Sequence, residues 1–180
     1  MDEWMEYAAY ARELGFTTGV PISAGWCQCS PQLRALCAPG KCTAYGTNWV
    51  CPPGCGEFSE CAARLAAYTR GVVVQTIYEQ VDTSNFPLTK RLALEHNNRL
   101  MRLRDRIGER YPKVLPLSTG SCEQCEICTY PVAPCRKPDQ RRGALSAYGI
   151  DVAALCAAAG LSYSFRPGTL CYVACVLVDA

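Results

Sequence analysis

Fourteen of the 180 residues are cysteine, and only one, His96, is histidine. Thiols at that density either close disulfides or hold metal, and a single imidazole makes any metal chemistry mainly sulfur chemistry. The redox compartment separates the two uses. The opening run MDEWMEYAAYARELG is acidic and amphipathic, unlike the basic start, apolar stretch and small-residue cleavage site of a secretory signal. A cytoplasmic location is therefore expected. Thiols there stay reduced, and dense cysteine reads as metal binding rather than as a disulfide framework.

Composition narrows the class further. Hydrophobic residues at 49% and charged residues at 19% suit a packed core, not a disordered chain. A length of 180 residues points to one domain over 1–180. Lys+Arg 18 against Asp+Glu 16 leaves +2, so no global field directs the chain to nucleic acid. No apolar run approaches the ~20 residues that cross a bilayer, so no membrane partner is expected.

Periodicity predicts a helix over Asp2–Leu14, with Trp4, Ala8, Ala11 and Leu14 on one face and Gly15 as its stop. A strand over Phe16–Ser23 follows. Ser59 reads as the cap of a helix reaching Thr69, and GVVVQTIYE reads as a buried strand. Leu88, Leu92, His96, Leu100, Leu103 and Ile107 form one stripe of a long helix over Leu88–Arg110. Val114–Ser118 is a second buried strand, and short helices are expected at Gln140–Tyr148 and Asp151–Ala159. LSYSF and LCYVACVLV, joined by Arg166-Pro167-Gly168-Thr169, read as a C-terminal hairpin. The expected class is α/β or α+β: one small sheet flanked by helices, with cysteine-rich loops at 27–61 and 120–138.

The second loop carries Cys122, Cys125 and Cys128 at C-x2-C-x2-C, and Cys135 after six further residues. Two-residue gaps wrap backbone around a compact inorganic core, so three sulfurs reach one cubane and a remote cysteine supplies the fourth. Bacterial ferredoxins use this triplet, whereas structural zinc pairs two separate knuckles. The triplet favours [4Fe–4S], with zinc as the alternative. The first loop sets Cys37, Cys42, Cys51 and Cys55 at C-x4-C-x8-C-x3-C among prolines and glycines. That spacing alone admits either zinc or a [4Fe–4S] cluster. Tyr45 and Trp49 read as a cover that excludes water.

C-x4-C-x2-YG-x2-W-x-CPP-x-CG, followed by C-x2-C-x2-C-x-YP-x3-CR and AYGIDV, resembles a family of predicted cysteine-rich metal-binding proteins of unknown function, common in anaerobic bacteria and archaea. The resemblance covers nearly the whole chain. It implies metal binding, iron–sulfur in kind, through Cys37, Cys42, Cys51, Cys55, Cys122, Cys125, Cys128 and Cys135.

Six cysteines remain. Cys27 and Cys29 are alternative ligands, a redox pair or plain loop thiols, and Cys61 is the nearest substitute ligand. Cys156, Cys171 and Cys175 read as apolar packing. His96 reads as a buried, hydrogen-bonded histidine. The basic run Arg136, Lys137, Arg141 and Arg142 is a solvated face or a dock for an acidic redox partner protein. The sequence thus predicts two [4Fe–4S] clusters and electron transfer in an anaerobic redox system. The alternatives are an enzyme with an exchangeable iron site in the first loop, or a zinc-stabilised adaptor.

Overall fold

The computed structural model describes residues 2–179. The chain runs α1 (Glu3–Glu13), β1 (Thr18–Ser23), α2 (Pro31–Arg34), α3 (Phe58–Leu65), β2 (Arg70–Tyr78), α4 (Phe86–Gly108), β3 (Val114–Ser118), β4 (Gly143–Ala144), α5 (Val152–Ala158) and β5 (Leu170–Val178). The strands form one open sheet in the order β1-β2-β5-β3-β4. All neighbours are antiparallel except β3 and β4.

Local chemistry places the helices. Asp2 accepts the Trp4 amide and opens α1, and Asn85 accepts the Leu88 amide at the head of α4. α3 begins with a reciprocal box between Glu57 and Glu60, two residues ahead of the expected Ser59 cap. Pro21 sits in β1, at the sheet edge, where its missing amide costs no inner ladder bond.

Strand alternation divides the core between the two faces. Val72, Val74, Ala174, Val176 and Val178 point to one face and pack against Trp4, Ala8, Leu100, Leu103 and Ile107 of α1 and α4. Val73, Val173, Cys175 and Leu177 point to the other, against Cys61, Leu65, Leu155 and Cys156 of α3 and α5. The first cysteine-rich loop connects β1 to β2 and the second connects β3 to β4.

Two expected elements differ. Leu161–Phe165 is not a strand, although the Arg166–Thr169 turn forms, with the Thr169 amide donating to the Arg166 carbonyl at 3.0 Å. β5 already has β2 on one side and β3 on the other, so no edge remains for a hairpin partner. Gln140–Tyr148 is not a helix. It holds two 3-10 turns around β4, because the free edge of β3 offers Gly143 and Ala144 a better ladder than a helix containing glycine.

Gly71 shows how tightly β2 and β5 are pressed together. A Cβ there would stand 2.2 Å from the Val176 carbonyl oxygen and 2.8 Å from Leu177 Cδ2. Gly71→Ala is expected to cost about 3 kcal/mol, the upper end of ordinary overpacking. Denaturant unfolding at fixed metal content checks this, and an unchanged midpoint would refute it.

Candidate metal centre

The second loop leaves β3 at Ser118 and returns at β4. Cys122, Cys125, Cys128 and Cys135 all line one cavity within it, beside Trp49 and Val50 of the first loop. All 14 cysteines are free thiols. Burial raises the Cys122 thiol above its ordinary range, Arg142 opposes that shift, and the neighbouring Cys135 and Cys128 add to it. The four thiols are a soft donor set with no imidazole or carboxylate among the cavity-lining residues, which suits iron–sulfur or zinc and disfavours hard cations. Among the described residues, no group of three or more His, Cys, Asp and Glu side chains is gathered as the ligands of a single ion.

Basic side chains brace this loop through its carbonyls. Arg142 donates from Nη1 to Thr119 O at 3.0 Å and from Nη2 to Ser121 O at 2.5 Å. Lys137 Nζ donates to Gln124 O at 2.9 Å, and Arg136 donates to Ile127 O. Lys90 of α4 reaches Glu123 at 3.9 Å. Arg142 is only 2% exposed, which removes it from any docking surface and corrects its place in the basic run. The burial of Arg142 lowers its pKa, while Cys122, Glu123 and Cys51 partly offset the loss.

In the first loop, Cys51 is buried and lies within electrostatic reach of Cys42 and Cys37. Burial raises its pKa, and a hydrogen bond with Asn48 lowers it. Asn48 is itself buried, and its Oδ1 accepts the amides of Val50 and Cys51, each at 3.0 Å. That bond holds the turn which presents Cys51.

Cys55 engages a different set of groups. It hydrogen-bonds Cys61, whose Sγ lies 3.6 Å from the Cys55 carbonyl. Arg34 Nη1 donates to Cys61 Sγ at 3.5 Å, and Nη2 donates to Gly56 O at 2.7 Å. The Cys55 bond first, and Arg34 and Arg64 after it, lower Cys61 to about 6, while Cys55 is held protonated. Cys29 is in electrostatic reach of Cys27 and Cys61, and Cys27 hydrogen-bonds Cys175. The first set is thus Cys51 within reach of both Cys37 and Cys42, with Cys55 tied to a thiol chain on the α3 face of the sheet.

The two loops clasp each other. The Trp49 and Tyr130 rings meet edge to face at 5.0 Å. A Cβ on Gly54 would lie 2.4 Å from Asn48 O and 3.0 Å from Tyr130, so only glycine fits where the loops touch. Arg142 faces Cys51 of one loop and Cys122 of the other.

His96 is fully buried on α4, with Nδ1 2.8 Å from Thr76 Oγ1 and its ring against Phe16 and Tyr172. Burial, then Arg142 and Arg99, lowers its pKa to about 3. A neutral imidazole at neutral pH is a packing group and no proton donor. The unfolded chain binds this proton near 6.5, so stability falls as pH drops from about 6.5 towards 3, by about 1.4 kcal/mol per pH unit from this group. His96→Gln is expected to flatten that slope in pH-dependent unfolding, and an unchanged slope would contradict the account.

Sequence reasoning missed Asn48, Arg34 and Arg64. Asn48 had a signal, its place between the YG and CPP motifs. Arg64 had one as well, its place one turn after Cys61 on α3, whereas Arg34 had none, since only the tertiary fold brings α2 to Cys61.

Compared with known families, residues 20–178 match the one described as Predicted metal-binding protein (DUF2284). No curated protein and no solved structure matches the chain.

Proposed function

Because the chain belongs to the DUF2284 family of predicted metal-binding proteins, we propose that its metal is iron–sulfur and that it transfers electrons in an anaerobic redox system. The observation that carries this reading is the set Cys122, Cys125, Cys128 and Cys135, spaced as a ferredoxin triplet plus one and lining a single cavity. These four thiols hold one [4Fe–4S] cluster. Cys37, Cys42 and Cys51 hold the other, with Cys55 as its fourth ligand. Bound there, a fully cysteine-ligated cluster supplies one-electron chemistry with no open iron for substrate. The protein's own residues do the rest. Asn48 orients Cys51, Arg142 places positive charge between the two thiol sets, and the Trp49–Tyr130 contact covers their junction.

Partner docking fits the exposed rim of the second loop. Ile127 is 76% and Val132 90% exposed, next to the exposed Arg136 and Lys137. This is an apolar patch with a cationic border, suited to an acidic redox partner protein in the cytoplasm. Among the described residues, no helix is long and apolar enough to cross a membrane. The double variant Arg136→Ala/Lys137→Ala is expected to slow reduction by an acidic donor protein at low salt and to converge with the wild type at high salt, where screening removes steering. Stopped-flow rates across a salt series check this, and equal rates at low salt would contradict it.

One observation favours a second reading. Cys55 is engaged by Cys61 and Arg34, which would leave the first cluster one ligand short and its iron exchangeable. The chain would then be an enzyme acting at the first loop. Electron paramagnetic resonance of the anaerobically reduced protein separates the readings. Two signals unmoved by small ligands support electron transfer, a first-site signal that shifts supports the enzyme, and no signal at all defeats both.

A further inference from the structure

A second cavity, of about 290 Å³, opens beside the two thiol sets and touches them only through Cys55. Arg64, Arg141 and Arg142 line it together with the Tyr148 hydroxyl, Cys55 and the Trp49 ring. None of its lining residues is acidic, and among the described residues none of these three arginines has an ion pair with a carboxylate. The cationic lining is built rather than accidental. Arg142 is 2% exposed, and its two carbonyl bonds hold it in place. Arg64 Nη1 donates to the buried Tyr148 hydroxyl at 2.9 Å, and its guanidinium also lies 5.8 Å from the centre of that ring. The phenol accepts this bond and keeps its own proton to donate. Trp49 Nε1 is buried with no hydrogen-bond partner among the described residues, an orphan donor on the wall shared by both cavities.

Convergent guanidiniums with no carboxylate among them are the chemistry of oxyanion recognition, because their N–H forks match carboxylate and phosphate oxygens. Val114, Leu115 and Pro116 add an apolar part to the lining. Its volume exceeds that of a single ion and approaches the lower end for metabolite pockets, about 300 Å³. We propose that this cavity binds a small organic oxyanion, a carboxylate or phosphate ester with an apolar body. Its charged end is held by Arg64, Arg141 and Arg142 and by the Tyr148 hydroxyl. The ligand would lie against Cys55, between the two loops, where its binding reports to both thiol sets. Arg142 also compensates the thiolates of Cys51 and Cys122, so the exposed Arg64 and Arg141 carry the discriminating share of ligand affinity.

The test is calorimetric titration of the metal-replete, anaerobically prepared protein with phenyl phosphate, benzoate and, as the uncharged control, benzamide. Saturable 1:1 binding of phenyl phosphate or benzoate, absent for benzamide, is expected, and the stronger of the two identifies the oxyanion. Arg64→Ala and Arg141→Ala should each weaken it about ten-fold. Tyr148→Phe, which removes only the hydroxyl, should weaken it less, and Arg102→Ala on the outer face of α4 should leave it unchanged. Iron content and far-UV dichroism, measured on the same samples, establish that the variants are intact. No saturable binding of either anion, or unchanged affinity in both Arg64→Ala and Arg141→Ala, would overturn the proposal. Zinc-loaded protein should bind the same anions, so a failure of the iron–sulfur reading and a failure of the anion site are told apart.

Discussion

Cys125→Ser is expected to remove about half of the iron and sulfide of the chain while leaving the other cluster's signal in place. Cys125 is the middle thiol of the triplet, and its side chain shares a cavity with Cys122, Cys128 and Cys135. A serine hydroxyl is harder and far less acidic than a thiol, so it holds iron poorly in a soft donor set. Cys171→Ser supplies the contrast. That thiol lies on the sheet, 3.2 Å from Gln75 Nε2, and packs beside Tyr163 and Cys156. Its loss should leave iron and sulfide unchanged. Metal and sulfide analysis with paramagnetic resonance of both variants is the check. Equal depletion in the two would mean that iron is lost through general instability and not through the loss of a ligand.

Stripping the metal is expected to open the first loop to protease while α4 stays protected. Between Ser23 and Phe58 the chain holds only the four-residue α2, isolated turns and a single β-bridge of Cys29 with Ile150. Few of its apolar side chains are buried: Ala24, Cys27, Val50 and Cys51 carry most of that burial. Such a segment has little hydrophobic stabilisation of its own, so its order depends on what its thiols hold. Trypsin reports on it through Lys41, which is exposed, and Arg34, whose guanidinium is bonded to Cys61 and to Gly56. Cleavage at Arg34 should accelerate at least about ten-fold in chelated protein, the factor that 1.4 kcal/mol of local stability is worth. Cleavage at Arg34 that is no faster without metal would show that the loop orders itself.

The helices were legible because their signals are local. Trp4, Ala8 and Ala11 repeat at helical spacing, and the stripe from Leu92 to Ile107 is the buried face of α4. The second thiol set was legible for the same reason, since its two-residue gaps act over a few bonds. Strand order was not, because β5 pairs with β2 and β3 across most of the chain and the sequence does not encode which edges are free. That is why the hairpin expected at Leu161–Phe165 is absent and why Gly143–Ala144 is a strand. A buried arginine and a solvated one also look alike in a basic run. Only the loop carbonyls of Thr119 and Ser121 explain why Arg142 turns inward while Arg136 and Lys137 remain exposed. The Cys55–Cys61 pair depends on the start of α3, fixed by Glu57 and Glu60, which brings two thiols six residues apart within reach of Arg34.

Whether the cysteines hold iron–sulfur clusters is tested most directly by counting iron, acid-labile sulfide and zinc in protein purified without oxygen. About eight iron atoms and eight sulfides per chain are expected, from two cubane sites of ferredoxin type. Stoichiometric zinc with no acid-labile sulfide would contradict this.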